Sequence, residues 1–299
     1  MRLPVSRNLR LSRGLEISTI WHGKNLYDHQ RGRIAMKKMG FIGCGNMGGA
    51  IIRSVAPAGL WDVLVYDLQT DLAKAIAKET GADYRNFDDL MIQSDIVVLA
   101  VKPQILPELY EKLASYNDKM YISMAAGIDL DTLAQKLGTT SVSRIMPNIA
   151  AAVKKAVTAV AVHQEAEEEL SRIVMTFAET FGSAHALPEK YFSAFIGASG
   201  SAIATAFEFL HGIAMGGVHE GLPYTTALGL ICDTVESATA LVRQTKRHPQ
   251  ELLTQVCSPG GLTVKTMQVL YENGFAGTLM ESVEAASQGA IAMEEKNKN

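Results

Sequence analysis

An apolar strand that runs into a glycine turn and then into a helix constrains this chain more than any other feature. From Met39 the sequence reads Met-Gly-Phe-Ile-Gly-Cys-Gly-Asn-Met-Gly-Gly-Ala-Ile-Ile, ending at Ile52. Gly43, Gly45 and Gly48 hold the G-x-G-x-x-G spacing that lets backbone approach a dinucleotide pyrophosphate. The first glycine permits the tight turn, the second keeps a side chain away from the phosphates, and the third lets helix and strand pack closely. The helix start then offers unpaired N–H groups and a partial positive charge to the anion. Ile42, Cys44, Asn46 and Met47 complete the candidate cofactor contacts of the loop. A glycine loop by itself also serves as a plain turn; here strand, turn, helix and second strand follow in the order the cradle needs.

The second strand, Val63 to Tyr66, ends in Asp67, about twenty residues past the loop, where a carboxylate accepts hydrogen bonds from the adenosine ribose. It would repel a 2′-phosphate, so Asp67 leans the coenzyme toward NADH over NADPH. The alternative is an aspartate that only starts a turn. Ile96 to Ala100 is a continuous apolar run, the pattern of a strand buried on both faces of a parallel sheet. Tyr121 to Met124 and Val142 to Met146 continue it, with helical stretches between. Such alternation gives an α/β Rossmann fold, a doubly wound parallel sheet, over 36–187. From Pro188 the texture becomes rich in Ala, Gly and Met at helical spacing. Helices are expected at Phe192–Val218, Tyr224–Arg243, Pro249–Val256, Thr263–Asn273 and Thr278–Glu294, making an all-helical dimerisation domain over 188–299. About a hundred residues give a marginal core, which predicts a homodimer interlocked through these helices, or a larger homo-oligomer.

The chain carries 28 basic and 31 acidic residues, and residues 1–35 hold seven of the basic and two of the acidic ones. The remaining 21 against 29 make the folded part acidic and argue against nucleic acid as a partner. No run reaches the ~18 uninterrupted apolar residues of a membrane span. Residues 1–35, ahead of Met36-Lys-Lys, read as a non-structural leader or an overextended start. Cys44, Cys232 and Cys257 lie far apart without a C-x-x-C pair, pointing to a reducing, cytoplasmic setting. The histidines show no ligand spacing, so no metal is expected.

Within the helical half, Cys257-Ser-Pro-Gly-Gly-Leu-Thr263 empties a turn directly into a helix. The N–H groups of Leu262 and Thr263, with the Ser258 hydroxyl, could hold a small carboxylate. The plain alternative is an ordinary turn with Thr263 as helix cap.

From Met39 to about Gly289 the chain resembles the Δ1-pyrroline-5-carboxylate reductase family. The resemblance rests on Gly40-Phe-Ile-Gly-Cys-Gly-Asn-Met47, Ala100-Val-Lys-Pro103, Ser123-Met-Ala-Ala-Gly127, Arg144-Ile-Met-Pro-Asn148, Ser199-Gly-Ser201, the Cys257–Thr263 loop and Gly274-Phe275, in family order. It implies NAD(P)H-dependent reduction of a cyclic imine to proline. Thr263 would bond the ring nitrogen as the catalytic contact, with Ser258. Ser258, Gly260, Gly261, Leu262 and Thr263 would seat the substrate carboxylate, with Glu189 nearby. Ala100, Lys102, Pro103 and Ala125 would line the cofactor, and Asn148 the region where nicotinamide meets substrate. The chain departs from the family where Ser-Gly-Ser continues as Ala202, Ile203, Ala204 and Thr205 rather than with Pro, Ala and Tyr. Leu262, His211 and Ala276 also replace commoner residues. Two other classes stay open. One is a related oxidoreductase, either an imine reductase for another ring or a β-hydroxyacid dehydrogenase. The latter places a Lys on the central helix, and no Lys lies between Phe192 and Gly221. The other is a silent nucleotide-binding relative.

Overall fold

The computed structural model describes residues 36–298, so the expected leader lies outside the described residues. Five strands appear where the apolar runs predict them: β1 (Lys38–Ile42), β2 (Asp62–Tyr66), β4 (Ile96–Leu99), β5 (Met120–Ser123) and β6 (Val142–Pro147). A two-residue β3 (Asp83–Tyr84) and two further strands, β7 (Ala156–Val162) and β8 (Gly182–Ala186), complete one sheet in the order β3-β2-β1-β4-β5-β6-β7-β8. Helices α1 (Asn46–Val55), α2 (Thr70–Thr80), α3 (Phe87–Gln93), α4 (Leu106–Ala114), α5 (Leu130–Leu137) and α6 (Glu168–Glu179) cross between strands.

Burial on both faces explains the strand composition. Along β4, Ile96 and Val98 join Phe41, Ile51, Phe177 and Phe181 on one face. Val97 and Leu99 join Leu64, Tyr121, Leu133 and Phe192 on the other. Each of these side chains is almost fully withdrawn from water, which stabilises by roughly 1.5–3 kcal/mol apiece. Chain reversal at β1, flanked by β2 and β4, opens the crevice where open α/β sheets take ligands.

The sheet is not parallel throughout. β7 runs antiparallel to β6, and β8 then runs parallel to β7. Only eight residues separate β6 from β7, too few for the dozen or more that a parallel crossover needs. A 3₁₀ turn at Ile149–Val153 and Lys154, at φ 56°, reverse the chain there.

After β8 the chain is helical. The long helix expected from Phe192 to Val218 is divided into α7 (Phe192–Phe195), a π-helical turn (Ile196–Gly200) closed by the Ser201 N–H on the Ile196 carbonyl at 2.7 Å, and α8 (Ala202–His219). Then come α9 (Tyr224–Thr245), α10 (Pro249–Val256), α11 (Leu262–Glu272) and α12 (Phe275–Lys298). The last begins three residues before its expected start. Together Ala214, Ala227 and Ile231 form a small buried cluster, whereas Phe207, Leu230, Val269, Tyr271 and Met280 are each more than half exposed. The run Glu189–His219 is long and apolar enough to cross a membrane by length and composition, yet little of it is buried inside the chain.

Candidate active site

The three loop glycines are held to three different standards. Gly43 sits at φ +105°, and a Cβ there would lie 2.7 Å from the Ala100 carbonyl oxygen. A Cβ on Gly48 would lie 2.4 Å from the Gly43 oxygen and 3.0 Å from Ala100 Cβ. A Cβ on Gly45 would meet nothing within 4 Å. That glycine is the N-cap of α1 and offers no side-chain acceptor to the first-turn N–H groups, and the first turn holds no acidic residue. The first turn of α1 therefore starts at exposed residues, Gly45 and Asn46, with no side-chain acceptor or acid of its own, which suits a pyrophosphate.

Asp67 follows β2 and fastens the loop from below. Its Oδ2 accepts the Cys44 N–H at 2.7 Å and its Oδ1 the Gln69 N–H at 2.8 Å. Cys44 is buried, its thiol 3.7 Å from the Tyr66 carbonyl that it points toward. Burial, reinforced by the Asp67 charge, pushes the thiol pKa from 9.0 up to about 12, so it stays protonated and inert at neutral pH.

The ends of further strands bring in the remaining cofactor candidates. Ala100 follows β4 and donates its N–H to Ile42 at 2.9 Å. Lys102 is exposed, and its carbonyl accepts the Ile105 N–H in the turn around Pro103. Ala125, buried past β5, donates its N–H to Ser123 Oγ at 3.2 Å. Asn148, buried past β6, accepts the Ala150 and Val157 N–H groups on Oδ1, both at 3.3 Å. That fixes its amide with Nδ2 free of protein partners among the described residues. Five parallel strands thus end around one crevice.

The second candidate region is built separately. Gly260 takes φ +72°, and the Gly261 N–H closes a turn on the Ser258 carbonyl at 3.0 Å. Ser258 Oγ lies 2.4 Å from where a Cβ on Gly261 would sit, so the hydroxyl folds over the glycine. Gly261 caps α11 without a side chain, which places Thr263 inside the first turn rather than at the cap. Leu262 is 81% exposed. Among the described residues no hydrogen bond or ion pair joins this turn to the glycine loop.

Glu189, expected near substrate, stands at the junction between sheet and helices. Its Oε1 accepts the Leu130 N–H at 2.9 Å and is paired with Arg144 Nη1. Arg144 also reaches Glu294 Oε1 on α12 at 3.2 Å, and its guanidinium lies 5.1 Å from the Phe192 ring centre. The sequence displayed Arg144 only as part of a motif; the warning sign was a charge inside an otherwise apolar strand. Among the described residues no group of three or more His, Cys, Asp or Glu side chains gathers as a metal would require.

A glycine cradle at the reversal point of a nucleotide-binding sheet, coupled to a helical half with its own bare helix start, defines a nicotinamide-nucleotide-dependent oxidoreductase. Residues 38–127 match the family model described as NADP oxidoreductase, coenzyme F420-dependent, and residues 189–293 the one described as pyrroline-5-carboxylate reductase dimerisation. The pyrroline-5-carboxylate reductase of Glycine max is 36% identical over 84% of this chain and 93% of its own length. The crystal structure of the Streptococcus pyogenes 1-pyrroline-5-carboxylate reductase is similar at a TM-score of 0.75, with 30% identity over 85% of this chain and 97% of that one. The Plasmodium falciparum pyrroline carboxylate reductase with NADP bound gives 0.78, with 26% identity over 86% and 98%. The chain belongs to the pyrroline-5-carboxylate reductase family.

Proposed function

We propose that this chain reduces Δ1-pyrroline-5-carboxylate to proline with NADH or NADPH. The observation that carries the reading is the pair of uncapped helix starts, one behind the Gly43–Gly48 loop and one behind Ser258–Thr263, in a chain of this family. The glycine loop fits a dinucleotide because the first-turn donors of α1 are open and the space over Gly45 is empty. When bound, a reduced nicotinamide supplies the hydride that the imine carbon accepts.

The protein's own share is positioning, which is worth roughly 7–11 kcal/mol in well-oriented reactions. Gly43, Gly45 and Gly48, with Ile42, Cys44, Asn46 and Met47, hold the pyrophosphate, and Asp67 the ribose. Ala100, Lys102, Pro103 and Ala125 line the cofactor, and Asn148 Nδ2 donates near the nicotinamide. The Leu262 and Thr263 N–H groups and the Ser258 hydroxyl seat the substrate carboxylate against Gly260 and Gly261. The Thr263 hydroxyl bonds the ring nitrogen, and a protonated imine is already electrophilic, so no strong general acid is needed. Glu189 stays beside the cleft, its carboxylate held by Arg144.

Asp67 favours NADH, since its carboxylate would oppose a 2′-phosphate. The apolar face of α8, α9, α11 and α12 is covered by a second copy of the chain rather than by a bilayer, in a cytoplasmic homodimer or larger ring. The test is purified protein with racemic pyrroline-5-carboxylate and either coenzyme, followed by coenzyme absorbance. Oxidation with neither overturns the assignment. Activity only on another cyclic imine would favour a substrate change, for which the Ala202–Thr205 segment opening α8 supplies the altered wall.

A further inference from the structure

We infer that Arg144 is a positioning residue that clamps α12 to the sheet and, through α12, holds the substrate loop in place; this rests on the function proposed above. Arg144 is 1% exposed, and a guanidinium so buried is kept only where its charge is answered. Two carboxylates from different parts of the chain answer it. Glu189 lies 45 residues away at the exit from the sheet, and Glu294 lies 150 residues away near the end of the last helix. Glu189 is itself fixed by the Leu130 N–H, so the α5 start, β6, the junction and α12 meet at one cation. Phe192 covers the guanidinium. Nε is buried without a partner, so only the Nη ends are satisfied, and the fork is oriented by the two acids rather than by the surrounding backbone.

The second grip on α12 lies eleven residues earlier, roughly 16 Å along the helix axis. A Cβ on Gly197 would come within 2.4 Å of the Val283 carbonyl oxygen, so the π-helical turn touches the α12 backbone directly. Besides these two grips α12 packs on α7 and α8, so it moves as one rod. Its opposite end begins at Phe275, one tight turn after α11, and α11 packs against it. The start of α11 is the Ser258–Thr263 turn. Releasing Glu294 removes the charged grip near the end of α12 and lets the rod tilt on its packing against α7 and the π-helical turn, moving the Ser258–Thr263 turn without touching the glycine loop. A displacement near 1 Å costs on the order of a hundredfold in rate for a reaction governed by alignment.

The experiment compares wild type, Glu294→Ala and Glu294→Gln, the last keeping an acceptor for Nη2 without the charge. Kinetics with the cyclic imine, NADH affinity by fluorescence, and amide hydrogen exchange are measured on each. The expected result is a loss in kcat/KM for the imine of about ten- to a hundredfold in Glu294→Ala. NADH affinity should stay within about twofold, and Glu294→Gln should recover most of the loss. Exchange should quicken in residues 262–272, remote from the substitution. Wild-type kinetics in Glu294→Ala, or parallel loss of imine and NADH affinity without recovery in Glu294→Gln, overturn the inference. If wild type proves inert on the imine, the function falls, and exchange decides the clamp alone: quickening confined to the last turns of α12 overturns it.

Discussion

Alanine at Gly45 and alanine at Gly48 should do opposite things, although the two sit three residues apart on one loop. At Gly45 a new methyl meets nothing within 4 Å, and the backbone at φ −63°, ψ −166° is one any residue adopts. Stability should move little, because Ala is a poorer N-cap than Gly by up to about 1 kcal/mol and lower unfolded-state entropy returns about 0.4–1. The methyl would occupy the space assigned to pyrophosphate. Losing one charge-assisted backbone hydrogen bond of about 1.5–3 kcal/mol weakens coenzyme binding roughly ten- to a hundredfold. At Gly48 the methyl would press on the Gly43 carbonyl at 2.4 Å and on Ala100 Cβ at 3.0 Å, and backbone has nowhere to retreat. Overpacking of this sort costs about 1–3 kcal/mol, more than the ~0.5–1 that alanine gains over glycine in a helix. Differential scanning fluorimetry and equilibrium titration with NADH separate the two. A Gly45→Ala protein that binds coenzyme like wild type refutes the pyrophosphate placement, and a Gly48→Ala protein with unchanged melting refutes the packing argument.

Replacing Asp67 with Ser removes the charge opposed to a 2′-phosphate and should move the NADPH-to-NADH ratio of kcat/KM upward by about tenfold or more; an unchanged ratio would remove Asp67 from coenzyme choice. Thr263→Ala leaves α11 intact, since its hydroxyl caps nothing. It should lower kcat by about ten- to a hundredfold, the worth of a hydrogen bond to a charged group, with coenzyme affinity preserved in the same titration. Cys44, with its thiol raised to about 12, should alkylate at pH 8 about a thousandfold more slowly than an unperturbed thiol; peptide mass spectrometry after iodoacetamide reads this directly. Because that pKa is raised on folding, its contribution to stability is whole below 9.0 and fades as pH climbs toward about 12. Burial pushes the Tyr121 hydroxyl the same way. Denaturant midpoints should therefore fall across that alkaline window, and a flat profile would contradict the burial.

The parts of this fold legible in the sequence are those specified locally. β1, β4 and the glycine turn declare themselves because a doubly buried strand must be apolar throughout and the turn tolerates few residues. β7 and β8 were not foreseen. Ala156-Val-Thr-Ala-Val-Ala-Val162 is thin for a core strand, and Gly182-Ser-Ala-His-Ala186 acquires strand character from its ladder with β7. The reversal follows from the short connection after β6, whose length is set only once β7 is placed. The π-helical turn escaped notice because apolar spacing alone cannot distinguish a 3.6-residue period from a single widened turn. In the candidate site, Asp67 and the glycines stand out by spacing alone. Arg144 gained its meaning from partners so distant in the chain that no local pattern could announce them.

Asp67 serves the polypeptide before it serves any ligand, because both of its oxygens already brace main-chain amides. Losing this carboxylate would therefore act on coenzyme selection and on the bend beneath Cys44 at once. Choice of coenzyme and mechanical soundness of the loop are thus inherited together.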